Sequence, residues 1–187
     1  MRFVAQAVRF GVAACASIAA SLPAAAQAEI TASSPQGFVT QDERVIDAPR
    51  DRVWGVLTDP AAYWDPQHTF SLDAGNLSLE PRAGGCFCEV LPAGEGRRAG
   101  SVEHARIIMA QPGVLLRMRG SLGPLQGEAL TGTLTVALED GDEAGTTRVV
   151  WTYIVGGYAR FDLEQVAPAV DRVQSAQLAR LAERFEG

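Results

Sequence analysis

A chain of 187 residues, 47% of them hydrophobic and 20% charged, is long enough to bury the core of one domain, and three cysteines are too few for a disulfide scaffold. Its formal net charge of −6 argues against nucleic acid and anionic membrane surfaces as partners. All 16 basic residues are arginine, which excludes a Schiff-base lysine.

Residues 1–28 read as a secretory signal peptide. Arg2 and Arg9 precede an apolar run from Phe10 to Leu22, and Ala26-Gln27-Ala28 supplies a small-x-small cleavage site before Glu29. A lipoprotein box at Val12-Ala13-Ala14-Cys15 is the rival reading, disfavoured because the apolar run continues past Cys15. The run is too short to span a bilayer, and no later stretch approaches the roughly 20 apolar residues that spanning needs. The expected mature protein is therefore periplasmic or secreted and not an integral membrane protein. All 22 acidic residues but only 14 of the 16 basic ones follow the cut, so 159 residues would carry a net charge of −8.

Residues 29–36 form a polar leader, expected to be flexible, before a single domain over 37–187. Gly37 to Ala48 alternates apolar and polar residues as a first strand does. Pro49 opens a helix through Leu57, closed by Asp59-Pro60, and a second short helical turn covers Ala61 to Trp64. After an irregular stretch holding His68, the spacing changes to that of strands. These are Leu77 to Glu80, Gly85 to Leu91, Ser101 to Ala110, Val114 to Gly120, Thr131 to Glu139 and Thr147 to Val155. Short Gly, Pro and acidic connections make them antiparallel neighbours.

Asp162 to Phe185 reads as a long C-terminal helix, capped by Asp162 with Gln165 behind it, and Pro168 is expected to bend or restart its first turns. Leu163, Val166, Val170, Val173, Leu178, Leu181 and Phe185 lie on one face. Gln174 and Gln177 fall inside that apolar stripe. Two explanations stand side by side: the amides face a partly polar cavity, or they hydrogen-bond to strand-end backbone.

The order of one strand, two short helices, six strands and a long final helix resembles the SRPBCC or START-like superfamily, the helix-grip fold of polyketide cyclases and birch-pollen-allergen proteins. The words that carry the resemblance run from Ile46-Asp47-Ala48-Pro49 through Val53-Trp54, with Leu57-Thr58-Asp59-Pro60 and Tyr63-Trp64 behind them. His68-Thr69-Phe70-Ser71, Gly84-Gly85-Cys86-Phe87-Cys88-Glu89, Leu122-Gly123-Pro124-Leu125-Gln126 and Gly156-Gly157-Tyr158 look like a secreted bacterial branch whose members are mostly uncharacterised. The resemblance implies an α+β fold in which a curved antiparallel sheet of about seven strands wraps around the C-terminal helix. It also implies a cavity between sheet and helix that often holds an apolar ligand. On that footing Trp64, His68, Leu116 and Met118 are expected to contact the ligand, together with Trp151, Tyr153, Tyr158, Gln174 and Gln177.

The chemistry-bearing candidates are few. Cys86 and Cys88 share a face of their strand, and with Pro92 to Arg98 as the hairpin loop Cys86 stands nearly opposite His104. Three readings follow: a zinc or copper ligand set of Cys86, Cys88 and His104, joined by His68; a disulfide that would need a bulge; or two small residues packed in the sheet. Packing is preferred, and neither metal nor cofactor is expected. The same register puts Glu89 and Glu103 together on the opposite face, where solvent is their ordinary environment. Arg117 and Arg119 read as outward-facing. The Gly120 to Gly127 segment reads as a loop over a cavity mouth. No Ser-His-Asp order, phosphate loop or His-Glu-x-x-His word occurs.

The expected function is binding of a small, mainly apolar ligand. The alternative is a cyclase, dehydratase or lyase using His68, His104, Glu89 or Glu103 as acid or base, and a protein-binding module ranks third. A histidine within hydrogen-bond reach of a carboxylate in the cavity is the feature that separates catalysis from simple binding.

Overall fold

The computed structural model describes residues 29–187. The expected signal peptide and the box around Cys15 lie outside the described residues.

The chain forms β1 (Glu29–Ser34), β2 (Gly37–Ile46), α1 (Arg50–Leu57), β3 (Leu77–Leu79), β4 (Cys86–Leu91), β5 (Gly100–Gln111), β6 (Leu115–Arg119), β7 (Ala129–Asp140), β8 (Thr147–Tyr158) and α2 (Leu163–Glu183). Short 3-10 turns at Pro60–Ala62, Pro66–His68, Ala74–Asn76 and Gly123–Gly127 fill the connections. All neighbours are antiparallel, in one sheet of order β1-β2-β8-β7-β6-β5-β4-β3. The fold is thus α+β, with eight strands curved around the C-terminal helix.

The added strand is the leader. Residues 29–34, expected to be flexible, pair with β2 from Glu29↔Gln41 to Ser34↔Gly37. A polar sequence conceals this because β1 is an edge strand with most of its side chains exposed, so its backbone pairing leaves little trace in hydropathy.

Alternation sets the inner face of the sheet. Leu130, Leu134, Val136 and Leu138 of β7 are buried beside Val149, Trp151, Tyr153 and Val155 of β8. Gly132 breaks the β7 row because the space is taken: a Cβ there would stand 2.4 Å from the Tyr153 hydroxyl and 2.4 Å from the Gly120 carbonyl. Arg117 and Arg119 alternate outward with buried Leu116 and Met118 between and before them, as the simple reading of that strand expects.

Helix α2 begins where the sequence says it should, with the Asp162 carboxylate accepting from Glu164 N at 2.8 Å and from Gln165 Nε2 at 3.2 Å. It runs without interruption through Pro168, which sits early enough to remove only one backbone bond near the first turns. The helix packs mainly on β2 and then on β1. That off-centre seat leaves open space beside β4 and β5.

Candidate functional site

The space left by α2 is a cavity of about 540 Å³. Val166, Ala169, Val170, Val173 and Gln174 supply the helix wall, at the three-and-four spacing of one face. Trp64, Phe87, His104 and Tyr153 form the interior, and Gln67, His68, Thr69 and Phe70 add a further stretch of wall. The 122–125 loop and Phe161 complete the mouth. The lining carries no carboxylate, lysine or arginine, so the surface offered to a ligand is hydrocarbon and aromatic with a few neutral polar groups.

The mouth loop is fastened at two points. Leu122 N donates to the Tyr153 hydroxyl at 2.9 Å, and that hydroxyl donates to Gly120 O at 3.0 Å. Gln126 Nε2 donates to Glu103 O at 2.6 Å. Burial pushes the Tyr153 phenol up to about 12, so it remains a neutral hydroxyl holding the loop.

The polar centre is Glu89 with His104. Strand β5 carries one extra residue opposite the Phe87–Cys88 step of β4: Phe87 pairs with Ala105 and Cys88 pairs with Glu103, and His104 falls between. This bulge suspends the alternation, so His104 and Ala105 are both buried although adjacent. His104 Nε2 lies 2.9 Å from Glu89 Oε2. Its ring packs between Phe70, stacked at 5.8 Å, and Phe87 at 5.0 Å.

Glu89 also accepts from the backbone N–H groups of Phe70, at 3.1 Å, and Ser71. Burial opposes ionisation of this carboxyl, but the bonds from Ser71, from the Phe70 backbone and from His104 outweigh it and hold the group below its ordinary value. Burial dominates at His104 and pushes the imidazole down, against the pull of Glu89. The pair is a carboxylate holding a neutral imidazole. The same two backbone bonds fix the turn whose next residue, Leu72, adopts φ 60°, a conformation that costs a side-chain-bearing residue about 1 kcal/mol.

These positions correct the expected register. Cys86 stands opposite Arg106 rather than His104, and both cysteines lie on the outer face, where Cys88 pairs with Glu103 and Glu103 forms an ion pair with Arg106. Glu89 and Glu103 are therefore on opposite faces, not together. Cys86 and Cys88 are joined as a disulfide with Cα atoms 5.4 Å apart, closer than the roughly 6.6 to 6.8 Å of an unbulged strand. A shared ligand set of Cys86, Cys88 and His104 is excluded by this geometry. Among the described residues no three His, Cys, Asp or Glu side chains converge where a metal ion could be held.

His68 sits at the mouth. Gln177, fully buried, fixes it: the amide oxygen accepts from Asp65 N at 2.8 Å, and the amide nitrogen donates to His68 Nδ1 at 2.9 Å and to Val173 O at 3.2 Å. Asp65 Oδ2 stands farther from the same Nδ1, at 3.7 Å. Gln174 lines the cavity while its amide oxygen accepts from Trp151 Nε1 at 2.9 Å. Both amides thus have protein partners, Gln177 on loop backbone and Gln174 on an indole. Replacing Gln177 by leucine removes the acceptor of the half-buried Asp65 N–H and frees His68, so the expected cost is about 1 kcal/mol of stability. Chemical denaturation of the variant measures it.

Of the residues expected at the ligand, Trp64, His68, Tyr153 and Gln174 line the cavity. Leu116, Met118 and Trp151 lie deeper, around a small void on the far side of Trp64, and belong to the core. Gln177 is behind His68, and Tyr158 is exposed outside the cavity. Phe70, Phe87, Val166 and Ala169 are lining residues that were not among those expected. Phe87 was the available signal, because an aromatic between two cysteines is the residue of that strand with most to gain from burial.

The sequence matches, over residues 38–186, the family described as polyketide cyclase / dehydrase and lipid transport, and the chain belongs to that family within the SRPBCC, START-like superfamily. A search of curated proteins returns no match. Among solved structures, an uncharacterised protein from Rhizobium leguminosarum is 24% identical, with 86% of this chain and 97% of that one covered and a TM-score of 0.53. A Rhodobacter sphaeroides protein is 20% identical over 86% of this chain and 98% of its own, with a TM-score of 0.52. The Mll3558 protein of Rhizobium loti is 20% identical over 78% and 94%, with a TM-score of 0.54. These likenesses concern the fold.

Proposed function

We propose that this protein binds a small, mainly apolar ligand in the cavity between sheet and C-terminal helix. The observation that carries the reading is the 540 Å³ space itself, walled by apolar side chains and bordered by a loop tied down at Leu122 and Gln126. Membership of a family whose description includes lipid transport agrees with it. Solvent extraction of the purified native protein followed by mass spectrometry should recover a mainly hydrocarbon or aromatic molecule. Stoichiometric recovery of a highly charged compound such as a nucleotide would overturn the reading.

One observation favours a second reading, acid–base catalysis on the bound molecule. His104 is within hydrogen-bond reach of Glu89, and a carboxylate that orients a neutral imidazole is an arrangement suited to a general base. Conversion of the extracted compound by the wild type, lost in His104→Gln, would establish it. Recovery of unchanged compound would leave binding as the function.

The mature protein is further proposed to be periplasmic or secreted and free of lipid, on the features of residues 1–28. The Cys86–Cys88 disulfide suits an oxidising compartment. N-terminal sequencing of protein from the native host should begin at Glu29. A first residue of acylated Cys15 would contradict it.

A further inference from the structure

The two histidines of the cavity are held in the same Nε2–H tautomer but leave opposite nitrogens to it, and their partners decide which. An ionised carboxylate only accepts, so the 2.9 Å contact with Glu89 Oε2 requires the proton of neutral His104 to be on Nε2, leaving the Nδ1 lone pair free. Nδ1 has no protein partner among the described residues. Asp42 Oδ2 is the one sealed side-chain oxygen or nitrogen among those residues that lacks a hydrogen bond, so Nδ1 is not sealed; it borders open space, and the open space beside His104 is the cavity.

At His68 the logic runs the other way. Asp65 N–H donates to the amide oxygen of Gln177, which orients the amide so that its nitrogen faces His68 Nδ1 at 2.9 Å. A donor aimed at Nδ1 makes that nitrogen the acceptor and places the proton of the neutral ring on Nε2. Nε2–H has no protein partner among the described residues, and His68 lines the mouth with about a third of its side chain exposed. Phe70, two residues along, stacks on the His104 ring, so both imidazoles belong to one wall.

We propose that the cavity selects ligands by opposed hydrogen-bond polarity: a hydroxyl donates to His104 Nδ1 in the interior, a carbonyl oxygen accepts from His68 Nε2–H at the mouth, and the ligand class is an apolar hydroxy-carbonyl compound. This rests on the cavity being a ligand site. An apolar pocket discriminates weakly between ligands that differ by a methyl group, whereas a pocket with an unpaired buried acceptor rejects a ligand that cannot donate to it.

Calorimetric titration with three probes tests the proposal: 6-acetyl-2-naphthol, its methyl ether, and 2-naphthol. The wild type should bind the acetylnaphthol about tenfold or more tightly than the ether. His104→Phe should abolish that preference while keeping affinity for the ether. His68→Phe should erase the advantage of the acetylnaphthol over 2-naphthol and leave the hydroxyl preference intact. Melting curves confirm that each variant is folded. Equal affinity of the wild type for acetylnaphthol and ether, or a preference that survives His104→Phe, would overturn the tautomer assignment and leave the cavity reading standing. Failure of every probe to bind would overturn both.

Discussion

Replacing Glu89 by alanine should lower the unfolding free energy by about 3 kcal/mol or more, since it orphans the N–H groups of Phe70 and Ser71 and the Nε2–H of His104 in one step. For a domain of this size that is a fall of roughly 6 to 12 °C in melting temperature. The loss should be local as well as global. The Glu89 bonds hold the turn that precedes Leu72, so hydrogen exchange at residues 68–73 should accelerate more than in the sheet.

Acid should reveal the same pair. His104 is held below 6.5 in the fold, so the unfolded chain binds that proton more readily and stability falls as pH drops below about 6.5. Glu89 is held below 4.5 in the fold, so its contribution is complete above that pH and is lost as pH falls through the folded value. Denaturation across pH should therefore show two successive losses, and the second should shrink in Glu89→Ala. A melting temperature unchanged by that substitution would show that the carboxylate is not buried in this network.

The second large effect concerns binding. Val170 lies mid-wall on α2, half-buried and facing the cavity. Tryptophan at this position keeps the helix and pushes an indole into space a ligand needs. Affinity for an apolar probe should fall on the order of a hundredfold. Stability should stay within about 1 kcal/mol of the wild type, because the added ring enters open space rather than a packed core. Equal affinity in Val170→Trp would place the binding site elsewhere.

Much of this architecture is legible in the residues. The face Val149, Trp151, Tyr153, Val155 and the stripe Leu163, Val166, Val170, Val173, Leu178, Leu181 follow periods of two and three-to-four, which backbone geometry imposes directly. The loop over the mouth is readable too, from Pro124 set between Leu122 and Leu125. The site is less legible, for one physical reason above others. The hairpin closes one residue off the assumed register, with Cys88 opposite Glu103 and Glu89 opposite Val102, and that slip alone moves His104 from the face of the cysteines to the face of Glu89. The bulge beside it then turns Ala105 inward as well, with no mark in the hydropathy pattern. The carboxylate added to the difficulty, because an isolated glutamate on a strand ordinarily faces water, and only the three donors it meets in the fold make burial tolerable. Gln174 and Gln177 were visible as anomalies in an apolar stripe, but their partners, Trp151 and Asp65, come from elements far away in sequence.

The most direct measurement is a backbone amide NMR titration of the full chain with 2-naphthol, followed in the wild type and in Val170→Trp. A cavity site predicts shifts concentrated at residues 67–70, 122–125 and 166–174 in the wild type, with no such shifts in the variant at the same concentrations. Shifts absent from those segments, or clustered elsewhere on the sheet, would contradict it.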